Sequence, residues 1–157
     1  MKHHWRYDKI LTLEQAAQKA EELRAQGKKI ITANGGFDIL HAGHLDLLEE
    51  AKQQGDILMI GLNSDASLKE GKGESRPLVG EQERAALLAA LACVDYVIII
   101  DAPYHGGVPD RLLRAVKPTM HANGAEYGPS DKWIEWPTMH ELGIAGYSVE
   151  RRPGSYY

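Results

Sequence analysis

Asn34-Gly35-Gly36-Phe37-Asp38-Ile39-Leu40-His41-Ala42-Gly43-His44 is the segment that decides the fold. The apolar run 29–33 before it predicts a buried strand, and the leucines and alanine that recur over 45–51 predict an amphipathic helix. Where a strand turns into a helix, the first N–H groups of the helix are unpaired and the positive end of its dipole faces outward. The segment therefore predicts a phosphate site.

The small residues and histidines of this segment fit that prediction. Gly35 and Gly36 lack side chains that would keep a polyphosphate away from the backbone, and Gly43 keeps the approach open. His41 and His44 lie one helical turn apart, so both can donate hydrogen bonds to the same anion.

The rest of the chain alternates predicted strands with predicted helices. The predicted strands are 29–34, 56–62, 95–100, 118–122 and 144–150. A first helix begins after Thr12 and ends near Gly27, and further helices are predicted at 43–54, 81–92, 108–116 and 131–142. This order predicts an α/β fold with a doubly wound, parallel, five-stranded sheet, in a single domain 1–157 with 1–27 as an N-terminal helical extension.

Ligands of such sheets bind at the carboxyl ends of the strands. That rule places the loops 34–44, 63–80, 101–107 and 123–130 around one crevice. The longest of them, 63–80, carries Lys72 between two glycines. A long polar loop without secondary structure often forms a lid, so this segment is expected to be mobile and to close over a triphosphate.

Composition narrows the class of protein. The 157 residues are 43% hydrophobic and 25% charged, which is ordinary globular usage. A net charge of −4 argues against a general nucleic-acid binder. No apolar run approaches the length of a membrane span, so a cytoplasmic protein is expected. The single Cys93 excludes an internal disulfide and a cysteine-cluster metal site.

The segment His41-Ala42-Gly43-His44 resembles the HxGH signature of the cytidylyltransferase-like nucleotidyltransferases. The resemblance covers roughly residues 10–128. It includes the Asn63-Ser64-Asp65 turn, the Lys72-Gly73 and Arg76-Pro77 pairs, and a helix containing Arg84. Within the family, the chain is most similar to the sugar-phosphate adenylyltransferases of the heptose pathway. This implies a Rossmann-like fold of the HxGH nucleotidyltransferase type.

The resemblance also implies roles for individual residues. His41 and His44 are expected to bind phosphate oxygens and stabilise the transition state, while Lys72 helps pyrophosphate to leave. Mg²⁺ is expected to arrive with the nucleotide, and no dedicated metal site is expected. The residues expected to bind the nucleotide are Gly35, Gly36, Phe37, Asp38, Gly43, Arg84, Gly124, Glu126 and Arg151.

Three functions stay open. The first is transfer of a nucleoside monophosphate from ATP to a sugar phosphate of the heptose type. The second is a CTP-dependent reaction on glycerol phosphate or another small phosphorylated alcohol, for which an arginine such as Arg151 is typical. The third is a nucleotide-binding module without turnover. The sequence does not specify the base.

Two departures from the family pattern motivate these alternatives. Residues 120–127 stand where relatives commonly have Lys-Gly-Gly-Asp-Tyr, so Glu126 replaces an aspartate. The sequence also stops at Tyr157, before the Ser-Thr-Thr segment of the family, so either the chain is truncated or that element is absent.

A homodimer is expected from the family and from aromatic residues that are candidates for an interface. The candidates are Trp133, Trp136, Tyr156 and Tyr157. The alternative is that the two tryptophans pack one helix onto the sheet.

Overall fold

A parallel sheet of six strands forms the centre of the computed structural model, which describes residues 2–150. The strand order is β1-β4-β3-β2-β5-β6, and every pair of neighbours is parallel. The strands are β1 (Ile10–Leu11), β2 (Ile30–Gly35), β3 (Ile57–Asn63), β4 (Tyr96–Ile100), β5 (Met120–Gly124) and β6 (Ala145–Val149).

Helices cover both faces of this sheet. One face carries α2 and α4, and the other carries α1 and α5, with α6 packed beside α5. The helices are α1 (Leu13–Ala25), α2 (Ala42–Gln53), α3 (Asp65–Lys72), α4 (Glu81–Ala89), α5 (Gly107–Val116) and α6 (Trp136–Leu142). The predicted Rossmann-like, doubly wound architecture is confirmed, and none of the helices within 2–150 is long and apolar enough to cross a membrane.

Alternation along β2 divides the core into two layers. Ile31 and Ala33 pack with Leu48 of α2 on one face, whereas Ile30 packs with Ala16 of α1 on the other. Successive side chains of a strand point to opposite faces, so a strand buried on both sides must be apolar throughout. This is why the run 29–33 identified β2 in the sequence.

The strand order reverses at β2, which has β3 on one side and β5 on the other. The connections leaving β2 and β5 therefore run to opposite sides, and their separation opens a crevice at the carboxyl edge of the sheet. The fold thus places the glycine–histidine segment beside the residues that follow β5.

Two predictions about the sheet and the N-terminus need correction. The sheet has six strands instead of five, because Ile10 and Leu11 pair with Val97 and Ile98 at its edge. The segment 1–27 was expected to be an extension, yet Ala16 within it is fully buried in the second layer of the core. A strand of two residues shows no periodicity, so only its pairing partner reveals it.

Two predicted elements are also wrong in part. The segment 63–80 was expected to be a loop, but α3 occupies Asp65–Lys72 and begins where the Ser64 hydroxyl accepts a hydrogen bond from the Ser67 N–H. The helix predicted at 131–142 begins only at Trp136, because Trp133 is extended and Pro137 suits a first helical turn.

The tryptophans of this region pack inward. Trp133 is buried with Leu113, Met139 and Ile144, and Trp136 packs against the same cluster. Trp133 is therefore not an exposed interface candidate, and both tryptophans pack within the fold. Tyr156 and Tyr157 lie outside the described residues.

Candidate active site

A cavity of about 660 Å³ opens at the carboxyl edge of the sheet, where the fold predicts a ligand. All four loops expected around the crevice contribute to it. Of the residues expected in the site, those that line it are Gly35, Gly36, Phe37, Asp38, His41, His44, Lys72, Gly124 and Glu126.

His41 and His44 lie at the start of α2, where both rings accept hydrogen bonds from backbone N–H groups. The Nδ1 atom of His41 accepts a hydrogen bond from Gly43 N–H at 3.1 Å, and Nδ1 of His44 accepts one from His41 N–H at 3.2 Å. A neutral imidazole that accepts at Nδ1 carries its proton on Nε2. Both rings therefore carry their proton on Nε2, beside the helix N-terminus.

The two rings stack with their centroids 3.8 Å apart. The pKa of His44 is lowered from 6.5 to about 4, first by burial and then because the nearby His41 and Lys72 disfavour a positive charge on this ring. The edge of His44 also meets Phe37, whose ring centroid lies 5.1 Å away and whose backbone has a φ of 46°. His44 is therefore a neutral hydrogen-bond donor at physiological pH, held in place by one stacked ring and one edge contact.

Lys72 reaches the cavity from the last position of α3. The helix is fastened at its C-terminal end by close packing, since a Cβ on Gly71 would overlap the Tyr104 ring. Lys72 thus approaches the predicted phosphate end of the site, which is the part lined by His41 and His44, from the β3 side, carried on a helix and not on a loop. The predicted lid movement of 66–78 stays a prediction.

Asp38 ties the second half of the predicted lid to the glycine segment. Its carboxylate accepts hydrogen bonds from Leu78 N–H and Val79 N–H at 2.9 Å and from Arg76 Nη1 at 2.7 Å. Burial raises the pKa of Asp38, but the two backbone bonds and Arg76 outweigh it, so the pKa lies below its usual value. The carboxylate is ionised and holds 76–79 against the site.

Arg84 lies within the fold and does not line the cavity. Its side chain is fully buried, and its donors go to the carbonyl oxygens of Gly36, Asn63 and Val79, each at 2.8 Å, and to the Asp65 carboxylate at 2.7 Å. Arg84 therefore holds the glycine segment, the end of β3 and the loop before α4 together. Direct nucleotide contact by Arg84 stays a prediction.

The end of β5 and the segment after it supply further residues of the cavity. Glu126 folds back over Gly124, where any Cβ would overlap its carboxylate. Arg151 lies outside the described residues. Within 2–150, no three His, Cys, Asp or Glu side chains are grouped so that they could hold a metal ion.

Sequence reasoning missed several residues of the site. His121 is fully buried beneath the cavity and does not line it. Further residues that do line it were not singled out, namely Asn34, Tyr104, His105, Asn123, Trp133 and Glu135. The positions of Asn34 and Asn123, each at the end of a predicted strand, were the signal that could have identified them.

Comparison with known proteins agrees with this geometry. Residues 32–146 match the model of a family described as cytidylyltransferase-like. The chain is 49% identical over 121 residues to the bifunctional protein HldE of Geobacter metallireducens. The match covers 77% of this chain and 24% of that protein. HldE of Helicobacter pylori (strain ATCC 700392 / 26695) is 46% identical over 121 residues, which are 77% of this chain and 24% of that protein. The chain thus spans about a quarter of the length of these curated relatives.

Solved structures show the same architecture. The lipopolysaccharide core biosynthesis protein from Thermoplasma volcanium GSS1 superposes with a TM-score of 0.63 at 30% identity, covering 83% of this chain and 99% of that one. Pantoate-beta-alanine ligase from Francisella tularensis superposes with a TM-score of 0.69 at 18% identity, covering 92% of this chain and 68% of that one. The second likeness concerns the fold alone.

Proposed function

Because the chain belongs to the cytidylyltransferase-like family, we propose that it is a nucleotidyltransferase that joins a nucleoside monophosphate to a phosphorylated acceptor and releases pyrophosphate. ATP is the proposed nucleotide, and a sugar phosphate of the heptose type is the proposed acceptor. The similarity to HldE proteins and the resemblance to the adenylyltransferases of the heptose pathway support this choice over glycerol phosphate.

The observation that carries the proposal is the pair of Nε2–H donors at the N-terminus of α2. A backbone N–H group fixes the tautomer of His41, and another fixes that of His44. Lys72 lines the same cavity. Such donors stabilise the charge that develops on phosphate oxygens without rearranging during the reaction. The site therefore suits transfer at a phosphorus atom.

The acceptor phosphate attacks the α-phosphorus of the nucleotide as pyrophosphate leaves on the opposite side. An ionised phosphate is already a nucleophile, so the step needs no general base. The protein contributes alignment and charge neutralisation. His41 and His44 bind the oxygens of the reacting phosphate, and Lys72 neutralises the leaving pyrophosphate.

We propose that Mg²⁺ accompanies the nucleotide. The side chains at the phosphate end are imidazole and ammonium donors, whereas Mg²⁺ takes oxygen ligands. Phosphate oxygens and water would therefore hold the ion, which would supply further neutralisation of the triphosphate.

We also propose a cytoplasmic homodimer. With Trp133 buried, the support for a dimer comes from the family and from exposed apolar side chains such as Ile39, Leu78 and Leu87. Sedimentation of the protein at micromolar concentration tests this, and a monomer mass would contradict it.

Pyrophosphate release tests the activity. ATP and CTP are each offered with heptose phosphate, a hexose phosphate and glycerol phosphate. Release with ATP and heptose phosphate supports the proposal. Release only with CTP and glycerol phosphate would favour the cytidylyltransferase alternative. Nucleotide binding without release in any combination would indicate a module without turnover.

A further inference from the structure

A connected network of polar side chains lies beneath the part of the cavity where β2 and β5 end. His121 Nε2 lies 3.2 Å from Glu135 Oε1 and 3.1 Å from Asn34 Oδ1, while its Nδ1 lies 2.7 Å from the Thr32 hydroxyl. Asn123 Nδ2 donates to the same Glu135 oxygen at 2.6 Å. Since Nε2 of His121 faces two oxygens, it carries the ring proton, and Nδ1 accepts from Thr32.

Glu135 is the one carboxylate of this network, and it also lines the cavity. The residue is only 6% exposed, and Asn123 is only 8% exposed. Both hydrogen bonds from the network end on Oε1, so neither occupies Oε2. The network therefore fixes the carboxylate in position and leaves its second oxygen for another donor.

Glu135 is ionised despite its burial. Burial raises the pKa of this carboxyl, but the hydrogen bonds from His121, from Asn123 and from the Glu135 backbone outweigh it, so the pKa falls below its usual value. An ionised carboxylate in a nearly water-free position accepts hydrogen bonds strongly and disfavours a phosphate.

The sheet topology separates this carboxylate from the phosphate end. Lys72 comes from the helix that follows β3, whereas Asn123 ends β5, and β2 lies between those two strands. The cavity thus has donors for phosphate on one side and a fixed acceptor on the other. A substrate part without charge and rich in hydroxyl groups suits the second side.

We propose that Glu135 accepts hydrogen bonds from hydroxyl groups on a sugar ring, and that His121 and Asn123 position it. The sugar is either the ribose of the nucleotide or the ring of the acceptor, because the chemistry is the same. This inference rests on the proposed function, which brings both sugars into the cavity.

Glu135→Gln tests the inference, with Glu141→Gln as the matched control. Glu141 lies on α6 outside the cavity and pairs with Arg114 on the surface. The measurements are kcat/KM for ATP and its 2′-deoxy and 3′-deoxy forms, and for the acceptor and its deoxy analogues. The wild type and Glu141→Gln should disfavour one deoxy compound by about tenfold or more, as expected for a hydrogen bond to a charged group.

Glu135→Gln should lose most of that discrimination while treating the other deoxy compounds as the wild type does. Loss confined to a deoxy nucleotide identifies the ribose, and loss confined to a deoxy acceptor identifies the acceptor ring. A merely structural Glu135 would lower activity on all substrates equally, and that result overturns the inference. Unchanged discrimination in Glu135→Gln also overturns it.

Folding and activity controls keep the two proposals separable. If Glu135→Gln does not fold, Glu135→Asp is the second variant. It keeps the negative charge, but its shorter side chain moves the carboxylate away from the sugar. Removal of the same hydroxyl should then no longer lower kcat/KM. If the wild type releases no pyrophosphate with any acceptor, the proposed function fails. Deoxy nucleotide binding by calorimetry then still tests the ribose arm, and equal affinity for ATP and both deoxy forms overturns that arm.

Discussion

Replacement of Arg84 by alanine tests how the phosphate end is assembled. In the wild type, this guanidinium donates to three backbone carbonyl groups, those of Gly36, Asn63 and Val79. It also pairs with Asp65, whose side chain is 40% exposed. Removal therefore leaves the carbonyl groups without their partner, whereas water can hydrate the carboxylate.

The expected loss follows from these contacts. A buried group left without a hydrogen bond costs about 1–3 kcal/mol, and breaking a buried ion pair by removing one partner costs about 3–5 kcal/mol. Water can hydrate the Asp65 carboxylate in the variant, which lowers the combined cost of these lost contacts. We therefore expect the free energy of unfolding to fall by about 3–5 kcal/mol. For a chain of this size, that lowers Tm by roughly 6–20 °C.

Urea denaturation and thermal melting without nucleotide measure the effect. Arg114→Ala is the control, since Arg114 is half exposed and pairs on the surface with Asp110 and Glu141, so its replacement should leave Tm nearly unchanged. A direct nucleotide-binding role predicts the reverse pattern for Arg84→Ala, with normal stability and weak nucleotide binding. Stability within about 1 kcal/mol of the wild type would refute the structural argument.

Further predictions concern the phosphate end. Alanine at His41 or at His44 should lower kcat by about a hundredfold to a thousandfold, the effect of losing one fixed donor, with folding retained by circular dichroism; wild-type turnover in both variants would remove the proposed site. Lys72→Ala should raise the nucleotide KM and lower kcat together. Lys69 is an exposed residue of the same helix that does not line the cavity, so Lys69→Ala should change neither constant. Equal kinetics of the two variants would contradict the role of Lys72. NMR titration of the free protein should show the His44 ring titrating near pH 4, and a midpoint near 6.5 would contradict its burial. Because this pKa lies below the unfolded value, the contribution of His44 to stability is present above about pH 6.5 and is lost as the pH falls toward about 4.

Much of the fold could be predicted from the sequence because its signals are local. The strands β2 and β3 are continuous apolar runs, and the helix after the glycine–histidine segment has a clear apolar stripe. Predicted bounds for these elements differ from the observed ones by one residue at each end. Short elements escaped because β1 has two residues and α3 is largely polar, so pairing and capping define them.

In the candidate site, too, the residues with a local signal in the sequence were identified and the others were not. His41, His44 and Lys72 were identified because their chemistry belongs to a short segment or to a residue type that seldom serves a buried role. Glu135 was not, since a glutamate between Ile134 and Trp136 carries no sign of its partners. His121 and Asn123 meet it only after β5 and α6 have packed.

By itself, the sequence determined the order of strands and helices, the helix N-terminus at which a phosphate site is predicted and the family of the chain, because each depends on neighbours along the backbone. Only the tertiary structure decided that Arg84 is a buried link and that Glu135 is a fixed acceptor in the cavity. Those roles depend on burial and on partners as many as 48 residues away. Such distances are closed by packing and by the sheet, and no local pattern records them.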